Sequence, residues 1–359
     1  MFRPRLWSSL STVYKNRPRN CRYPNKYIDD QIKDTIIYQR LYIQRPVHTI
    51  RYRFYSTRKE LADSARIVRV RAAMTANWTR LIRFIAEEDG QEHLGNVDAD
   101  TDVGVAVRDG RTVTARAVNG TAFDGTVTDK TLTVARLLSP LAMSEVPIIR
   151  CLGLNYRDHA AEAKLPIPTD PVLFIKPRTA LTGPHPSKIV IPKAAQDGTS
   201  DYEAELTIII GRTGKDIPEA DALSYVLGYT AGNDVSARAT QFKDSQWSYS
   251  KGFDSAAPIG PVIVREGASI DPHKLGIKAR YNGRTVQESN TAEMIFSVQQ
   301  IVAFLSRGTT LERGTVIMTG TPPGVGAMRE PKIVLGDGDD IHVWIEGIGT
   351  LVNTVHYEK

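Results

Sequence analysis

Three carboxylates alternate along residues 201–205, which read Asp-Tyr-Glu-Ala-Glu and lead directly into an apolar run at 206–210. If this segment begins a buried strand, Asp201, Glu203 and Glu205 share one face, with neighbours roughly 6.5–7 Å apart, and repel each other where water is scarce. A bound cation turns that repulsion into attraction, and oxygen-only ligands favour a hard ion, Mg²⁺ before Mn²⁺ or Ca²⁺. The alternative is a solvated strand edge that carries acidic residues without a metal.

Asp234 offers a further carboxylate for this site. It follows an apolar segment at 229–231, so it is expected at the end of a buried strand or in the adjoining loop. Three carboxylates leave positions open for water or substrate, which suits Mg²⁺. The pattern predicts a metal site made of Glu203, Glu205 and Asp234, although a lone Asp at such a position is more often a turn or cap residue.

His159 and Glu162 lie three residues apart in a segment that predicts a helix. Side chains at this spacing are neighbours, so Glu162 can orient the imidazole and stabilise its charged form. The ring can then activate a water molecule or move a proton near neutral pH. An exposed histidine on a capped surface helix is the alternative.

Two further segments carry groups that suit an anionic substrate. Lys251 precedes an apolar turn at 257–261, and a lysine beside the metal would stabilise negative charge that develops on an oxygen atom. The alternative is a surface lysine. Residues 319–326 read Thr-Gly-Thr-Pro-Pro-Gly-Val-Gly, and their backbone NH groups with the Thr321 hydroxyl can hold a carboxylate. An ordinary rigid loop is the alternative for this segment.

Short apolar segments broken by Gly and Pro predict the scaffold that must position these groups. Two helices are predicted, near 219–228 and near 297–307. The predicted strands lie at 148–154, 172–176, 206–210, 261–264, 277–281 and 316–319. We therefore predict a β-rich catalytic domain over residues 147–359.

The region before that domain predicts a small α/β cap domain over residues 75–146. Alternating apolar residues predict a strand at 78–85, and segments bounded by Gly and Asp predict further strands at 102–108 and 112–117. Residues 129–137 predict a short helix.

Composition excludes several classes of protein. The chain has 41% hydrophobic and 24% charged residues, as globular proteins do. No apolar run reaches the length of about 18 residues that spans a bilayer, and neither a GxGxxG nor a P-loop motif is present. A membrane protein, a dinucleotide enzyme and an NTPase are therefore disfavoured. Cys21 and Cys151 are too few for a disulfide framework or a cysteine zinc site, as is typical of a reducing intracellular compartment.

Positive charge is concentrated in a basic leader over residues 1–67. Its first 59 residues hold fourteen Lys and Arg against three Asp, a net charge of +11, which leaves about −5 for the rest of a chain whose total is +6. Nucleic-acid binding by the main body is therefore disfavoured. An Arg-rich, acid-poor leader is typical of mitochondrial transit peptides, and Arg-Phe-Tyr-Ser at 53–56 is similar to a matrix-protease cleavage site. The alternative is that these residues are a tail or an extension of the gene model. The protein would then be cytoplasmic.

Five motifs in order resemble the fumarylacetoacetate hydrolase family over about residues 148–357. They are Gly-Leu-Asn-Tyr-Arg-Asp-His at 153–159, the carboxylate segment at 201–205, Gly-Tyr-Thr-Ala-Gly-Asn-Asp-Val-Ser-Ala-Arg at 228–238, Lys-Gly-Phe-Asp at 251–254 and the loop at 319–326. The motifs are most similar to the eukaryotic mitochondrial branch of this family, the fumarylacetoacetate hydrolase domain-containing proteins. The resemblance implies an α+β, β-rich fold with a mixed β-roll or β-sandwich catalytic domain, and a homodimer.

The resemblance also implies roles for individual residues. It implies Mg²⁺ on Glu203, Glu205 and Asp234, and a catalytic dyad of His159 and Glu162 on a mobile lid. It further implies contacts with the substrate or an intermediate for Tyr156, Arg157, Gln241, Lys251 and Thr321.

The implied reaction acts on a small 2-oxo (1,3-dicarbonyl) acid through a metal-bound enolate, with Mg²⁺ as the Lewis acid. Water activated by the dyad would hydrolyse a C–C bond in an acylpyruvate- or fumarylpyruvate-like substrate, which is the favoured prediction. Tautomerisation or decarboxylation of oxaloacetate and a 2-hydroxymuconate-type isomerisation are alternatives. A further alternative is a non-catalytic binding protein. The residue that supports this alternative is Ala239, which follows Arg238 where the family usually has Asp.

Overall fold

The computed structural model describes residues 76–359, so the leader, its cleavage-site motif and Cys21 lie outside the described residues. The strands of the described range are β1 (Arg80–Ala86), β2 (Glu92–Asn96), β3 (Thr114–Asn119), β4 (Thr126–Leu138), β5 (Ile149–Gly153), β6 (Val172–Lys176), β7 (Leu181–Thr182), β8 (Lys188–Ile191), β9 (Ser200–Asp201), β10 (Ala204–Ile210), β11 (Gly214–Lys215), β12 (Val226–Asn233), β13 (Ser236–Ala237), β14 (Ala257–Arg265), β15 (Gly276–Tyr281), β16 (Arg284–Asn290), β17 (Thr310–Leu311), β18 (Val316–Met318), β19 (Asp340–Ile345) and β20 (Gly349–Tyr357).

Short helices interrupt these strands. The α-helices between residues 76 and 359 are α1 (Val103–Arg108), α2 (Arg157–Ala163), α3 (Arg238–Gln241) and α4 (Val298–Ser306). α4 begins at a capping box, in which the Ser297 hydroxyl accepts a hydrogen bond from the Gln300 backbone and the Gln300 side chain accepts one from the Ser297 backbone. No helix in the described part of the chain is both long and apolar enough to cross a membrane.

One large sheet runs through the molecule in the order β2-β3-β4-β1-β14-β12-β10-β18-β5-β6, with β7 paired to β14. The four N-terminal strands join it where Arg80 of β1 pairs with Val264 of β14. This pairing makes β1 to β4 a continuation of the central sheet. The boundary at 146/147 between a cap domain and a catalytic domain stays a prediction.

A second sheet, in the order β16-β15-β19-β20-β8, contacts β10, β12 and β14 of the large sheet. The central strand β10 is buried along its whole length. Leu206 and Ile208 pack into a core that includes Ile277 and Val343 of the second sheet, whereas Ile209 packs into a separate core. Both faces of β10 are therefore covered, which explains its unbroken apolar sequence.

Most predicted strands are present, because an apolar run bounded by Gly or Pro is a strong strand signal when both faces are buried. The six strands predicted in the catalytic domain correspond to β5, β6, β10, β14, β15 and β18. The helix predicted near 297–307 corresponds to α4. The one predicted near 219–228 is instead a 3-10 helix, Glu219–Tyr225, which ends where β12 enters the sheet.

Two predictions in the N-terminal region are wrong. Residues 102–108 form a helix rather than a strand, because the Asp102 carboxylate caps α1 at the Val105 backbone NH and also accepts hydrogen bonds from Thr350. Residues 129–137 form part of β4 rather than a helix. There Leu132 and Val134 are buried, and the strand pairs with β3 and β1, so tertiary pairing outweighs the local pattern.

Candidate active site

The three predicted metal-binding carboxylates converge between two neighbouring strands. Glu203 immediately precedes β10, Glu205 lies within it, and Asp234 immediately follows β12. These strands are antiparallel, and Glu205 pairs with Gly232, so the chain brings Asp234 back beside the two glutamates. One oxygen of each carboxylate lies within 4.8 Å of the others, and all three residues are buried.

Two lysines and an arginine surround this cluster. Lys251 Nζ lies 2.9 Å from Glu203 Oε2 and 2.5 Å from Asp234 Oδ2, as expected for a lysine beside the carboxylates. Arg238 Nη1 lies 2.7 Å from Glu203 Oε1. Burial raises the pKa of Glu203, but the cations of Lys251 and Arg238 outweigh burial and lower it to about 2.

Lys176 is a member of the site that sequence reasoning missed. Its side chain is fully buried, and Nζ lies 2.6 Å from Asp234 Oδ1. The same ammonium donates hydrogen bonds to the carbonyl oxygens of Val235 and Ala256, at 3.0 and 2.6 Å. The sequence signal for this residue is a lysine at the end of an otherwise apolar predicted strand. A buried ammonium needs a charged partner, so such a lysine indicates a nearby carboxylate.

Glu205 has the surroundings of a cation ligand. Its Oε2 accepts a hydrogen bond of 2.7 Å from the Gly320 backbone NH, and its Oε1 has no hydrogen-bond partner among the described residues. Burial, followed by the charges of Asp234 and Glu203, raises the pKa of Glu205 well above its ordinary value. A divalent cation would satisfy the free oxygen and offset the repulsion between the carboxylates. The set of oxygen donors fits Mg²⁺, Mn²⁺ or Ca²⁺.

Asp201 is not one of the three clustered carboxylates. It ends β9, where its Oδ2 lies 2.8 Å from Arg238 Nε, and its Oδ1 accepts a hydrogen bond from the Gly326 NH. Asp201 therefore ties the 319–326 loop to Arg238. Because Arg238 contacts both Asp201 and Glu203, the Ala at position 239 does not leave the guanidinium unpaired.

His159 and Glu162 make the contact that their spacing on α2 predicts. His159 Nδ1 lies 2.8 Å from Glu162 Oε2, and both side chains are partly exposed. Glu162 Oε1 also accepts a hydrogen bond of 3.0 Å from the Gly324 NH, which connects α2 to the 319–326 loop. The histidine is thus held by a carboxylate that is itself anchored to the backbone.

One cavity of about 280 Å³ is lined both by His159 and by Glu203, the member of the carboxylate cluster that belongs to its wall. Its polar wall contains His159, Glu203, Arg238, Gln241, Lys251 and Thr321. The remainder of the wall is mostly apolar, including Leu154, Leu165, Phe242, Trp247 and Met328. The groups of a proton-transfer site and of a metal site therefore face the same space.

Five side chains are expected to touch the substrate or an intermediate, and the structure divides them. Gln241, Lys251 and Thr321 line the cavity. Tyr156 is fully buried and Arg157 donates a hydrogen bond of 2.6 Å to the Met294 carbonyl, so neither belongs to the cavity wall. The contacts of Tyr156 and Arg157 with the substrate therefore stay a prediction.

Thr321 has less freedom than the sequence suggests. Its hydroxyl donates to the Ala204 carbonyl at 2.9 Å and accepts from Gln287 Nε2 at 2.8 Å. The hydroxyl proton is therefore engaged within the protein, and the two hydrogen bonds hold the loop beside β10. Gln287, on the distant strand β16, carried no local sequence signal for this contact.

Comparisons with known proteins agree with this arrangement. The family model described as fumarylacetoacetate (FAA) hydrolase C-terminal matches residues 148–356. The caffeoylpyruvate hydrolase of Neonothopanus nambi is 45% identical over 297 residues, which cover 80% of this chain and 96% of the relative. The mitochondrial oxaloacetate tautomerase Fahd2a of Rattus norvegicus is 34% identical over 315 residues, or 84% of this chain and 99% of the relative.

Solved structures show the same likeness. The 2-hydroxyhepta-2,4-diene-1,7-dioate isomerase of Mycobacterium marinum is 36% identical with a TM-score of 0.65, and the match covers 78% of this chain and 99% of that one. The predicted β-rich α+β fold is thereby confirmed.

Proposed function

We propose, from the premise that this chain belongs to the fumarylacetoacetate hydrolase family, that it is a metal-dependent enzyme that hydrolyses a C–C bond in acylpyruvate-like 2-oxo acids. The observation that carries the proposal is the cavity that His159 and Glu203 both line, because Glu203 belongs to a buried cluster of three carboxylates and His159 is paired with Glu162. A 2-oxo acid needs a cation for its two adjacent oxygens, and hydrolysis needs a base for water.

Glu203, Glu205 and Asp234 would hold the cation, with Mg²⁺ as the first choice and Mn²⁺ or Ca²⁺ as alternatives. When bound, a divalent cation supplies a Lewis acid for the oxygens of the 2-oxo acid. The ion pairs from Lys251 and Arg238 outweigh the effect of burial and hold Glu203 ionised, since its pKa is about 2. The chain thus presents a ligand that stays charged at neutral pH.

His159 is the proposed base. Its Nδ1 faces Glu162, so the ring presents Nε2 as the atom that accepts a proton. Water gives a proton to Nε2 while its oxygen bonds to the acyl carbon of the substrate. The C–C bond between the acyl carbon and the pyruvyl unit then breaks, and its electron pair goes to the pyruvyl carbon. That carbon takes the proton back from the imidazolium, so the products are a carboxylic acid and pyruvate.

Lys251 completes the proposed site as a permanent cation. Burial lowers its pKa, but the charges of Asp234 and Glu203 outweigh burial, so the pKa of Lys251 is raised and the ammonium stays protonated. It lines the cavity, where it can stabilise negative charge that develops on the substrate.

Oxaloacetate tautomerisation is the second candidate function. The supporting observation is the 34% identity to a mitochondrial oxaloacetate tautomerase over 84% of this chain. The same cavity suits this reaction, because a tautomerase needs the cation and a proton-transfer group but no attacking water. Decarboxylation of oxaloacetate and a muconate-type isomerisation remain related alternatives, the latter supported by the similar isomerase structure.

An assay with Mg²⁺ on acetylpyruvate and on the enol of oxaloacetate tests these proposals. Hydrolysis releases pyruvate, whereas tautomerisation changes only the enol absorbance. Addition of EDTA is expected to abolish both activities, and Mg²⁺ in excess is expected to restore them. Full activity in EDTA would refute the metal site, and failure on both substrates would favour a non-catalytic role.

We further propose that the protein is a mitochondrial homodimer. Support for the compartment comes from relatives named as mitochondrial proteins. Support for a dimer comes from the edge strand β6, where Val172, Leu173 and Ile175 are 42–46% exposed although apolar. Fractionation of cells, with N-terminal sequencing of the mature chain, tests the compartment and the transit peptide. Light scattering on the purified protein tests the dimer.

A further inference from the structure

The cavity has two ends of opposite character. The buried, inner end is lined by Glu203, Lys251 and Arg238, whereas exposed apolar side chains line the outer part. The 2-oxo acid head would occupy the charged end, so the rest of the substrate must extend along the apolar wall. The chemistry of that wall therefore decides which acyl groups fit.

Three apolar side chains of this wall are exposed to water. Leu165 is 53% exposed, Met328 is 46% exposed and Phe242 is 76% exposed. Exposed large apolar groups are common singly, but these three line a single cavity. An apolar group bound among them would remove their surface from water, which is a favourable contribution to binding.

Other parts of the wall are held firmly in place. The Trp247 ring packs edge-on against Phe174, with ring centroids 5.6 Å apart. It also lies against Gly153 so closely that a Cβ there would be 2.4 Å from the ring. Leu154 has a φ of +51°, a conformation that costs energy for a leucine and that is maintained by its surroundings. The apolar wall is thus preformed.

Positive charge is absent from the outer end of the cavity. Among the described residues that line it, the Lys and Arg side chains are Lys251 and Arg238, and both contact Glu203. A second carboxylate at the far end of a substrate would therefore be desolvated against apolar side chains without a cation to pair with it. Dicarboxylates such as fumarylpyruvate match this end poorly.

We infer that the preferred substrate is an acylpyruvate with an uncharged aryl or extended alkyl acyl group, bound along Leu154, Leu165, Trp247 and Met328. This inference rests on the proposed hydrolase function and names its substrate class. The acyl group lies against the apolar wall while the 2-oxo acid head meets the carboxylate cluster.

Three probes with the same head test the inference: acetylpyruvate, fumarylpyruvate and benzoylpyruvate, each with Mg²⁺. We expect kcat/KM for benzoylpyruvate to exceed that of the other two by about tenfold or more. Contacts in apolar pockets produce effects of this size. Equal or faster turnover of fumarylpyruvate would overturn the inference and leave the hydrolase function intact. If no probe is hydrolysed, the proposed function fails. Calorimetric measurement of the binding of the same three probes would then show which acyl group the cavity prefers.

A matched pair of variants sharpens the test. Leu165→Lys places a cation in the apolar wall, whereas Ile167→Lys makes the same change at a side chain that is 52% exposed but outside the cavity wall. The ratio of kcat/KM for benzoylpyruvate over fumarylpyruvate is expected to fall about tenfold or more in Leu165→Lys and to stay unchanged in Ile167→Lys. An unchanged ratio in both variants, or an equal fall in both, would contradict the assignment of this wall.

Discussion

The carboxylate cluster and the His159–Glu162 pair each contribute one side chain to the same cavity, Glu203 and His159, but they are held in different ways. The cluster lies in the core between β10 and β12, where its members are at most 7% exposed and several cations contact them. The pair lies on α2, a helix of seven residues, and its side chains are 16% and 27% exposed. Long-range strand pairing positions the cluster, whereas local helix spacing positions the pair.

This difference predicts which reactions depend on the carboxylate cluster and which depend on the His159–Glu162 pair. A buried cluster of like charges is stable only with cations, so a metal ion bound there would decide its chemistry. The exposed pair is close to water and contributes proton transfer. Damage to the cluster should therefore affect every reaction of the enzyme, and damage to the pair should affect hydrolysis most.

The largest expected effect comes from Glu205→Gln. The amide keeps an oxygen for the Gly320 NH but removes a charge from the cluster, so kcat/KM should fall about a thousandfold, or about 4 kcal/mol of transition-state stabilisation. Calorimetry should detect no Mg²⁺ binding at concentrations that saturate the wild type. Without metal the variant should be no less stable, because ionising Glu205 is unfavourable in the fold.

Glu288→Gln is the matched control for that variant. Glu288 pairs with Lys278 on the exposed side of β16, at 2.8 Å, and an exposed ion pair contributes little stability. Mg²⁺ affinity and turnover should be unchanged. Wild-type Mg²⁺ affinity in Glu205→Gln would refute the role of this carboxylate as a ligand.

His159→Ala should separate the two regions. Loss of the base is expected to slow hydrolysis about a hundredfold, with Mg²⁺ affinity unchanged because the imidazole is paired with Glu162, which is not a member of the carboxylate cluster. Enol absorbance measurements should show a smaller loss of oxaloacetate tautomerisation, if that activity is present. His342→Ala, which removes a histidine paired with Asp340 away from the cavity, serves as the control. If hydrolysis survives His159→Ala intact, the pair is not the proton-transfer group.

Lys176→Met should weaken the cluster without touching the cavity. The change removes the ammonium that contacts Asp234 Oδ1, so this carboxylate loses part of its support. We expect Mg²⁺ to bind about ten- to a hundredfold more weakly, as when groups that orient metal ligands are removed. Titration with Mg²⁺ measures the effect, and Lys278→Met on the surface is the control. An unchanged Kd would mean that Lys176 only fills the core.

The smallest effect is a dependence of metal stabilisation on pH. The pKa of Glu205 is higher in the folded protein than in the unfolded chain. The neutral carboxyl therefore contributes stability at low pH, and this stability is lost as pH rises through the pKa of Glu205 in the folded protein. Mg²⁺ needs the ionised carboxylate, so the rise in Tm that Mg²⁺ causes should grow between about pH 5 and pH 8. Thermal unfolding with and without Mg²⁺ measures this trend. A constant rise across this range would show that the ionisation of Glu205 is not linked to metal binding.

The sequence by itself determined the parts of the site that depend on local spacing. The apolar run of β10 predicts a buried strand, and the alternation of Glu203 and Glu205 predicts that both carboxylates share one face. The spacing of three residues predicts the contact between His159 and Glu162. These predictions succeeded because strand and helix geometry fixes which neighbours along the chain can meet.

Only the tertiary structure decided the contacts between distant segments. Lys176 meets Asp234 although three strands separate β6 from β12 in the order of the sheet, and Asp201 contacts Arg238. Residues 129–137 form a strand because β1 and β3 are available as partners. Propensity and spacing carry no information about such partners, since the free energy that selects them comes from burial and pairing across the whole fold.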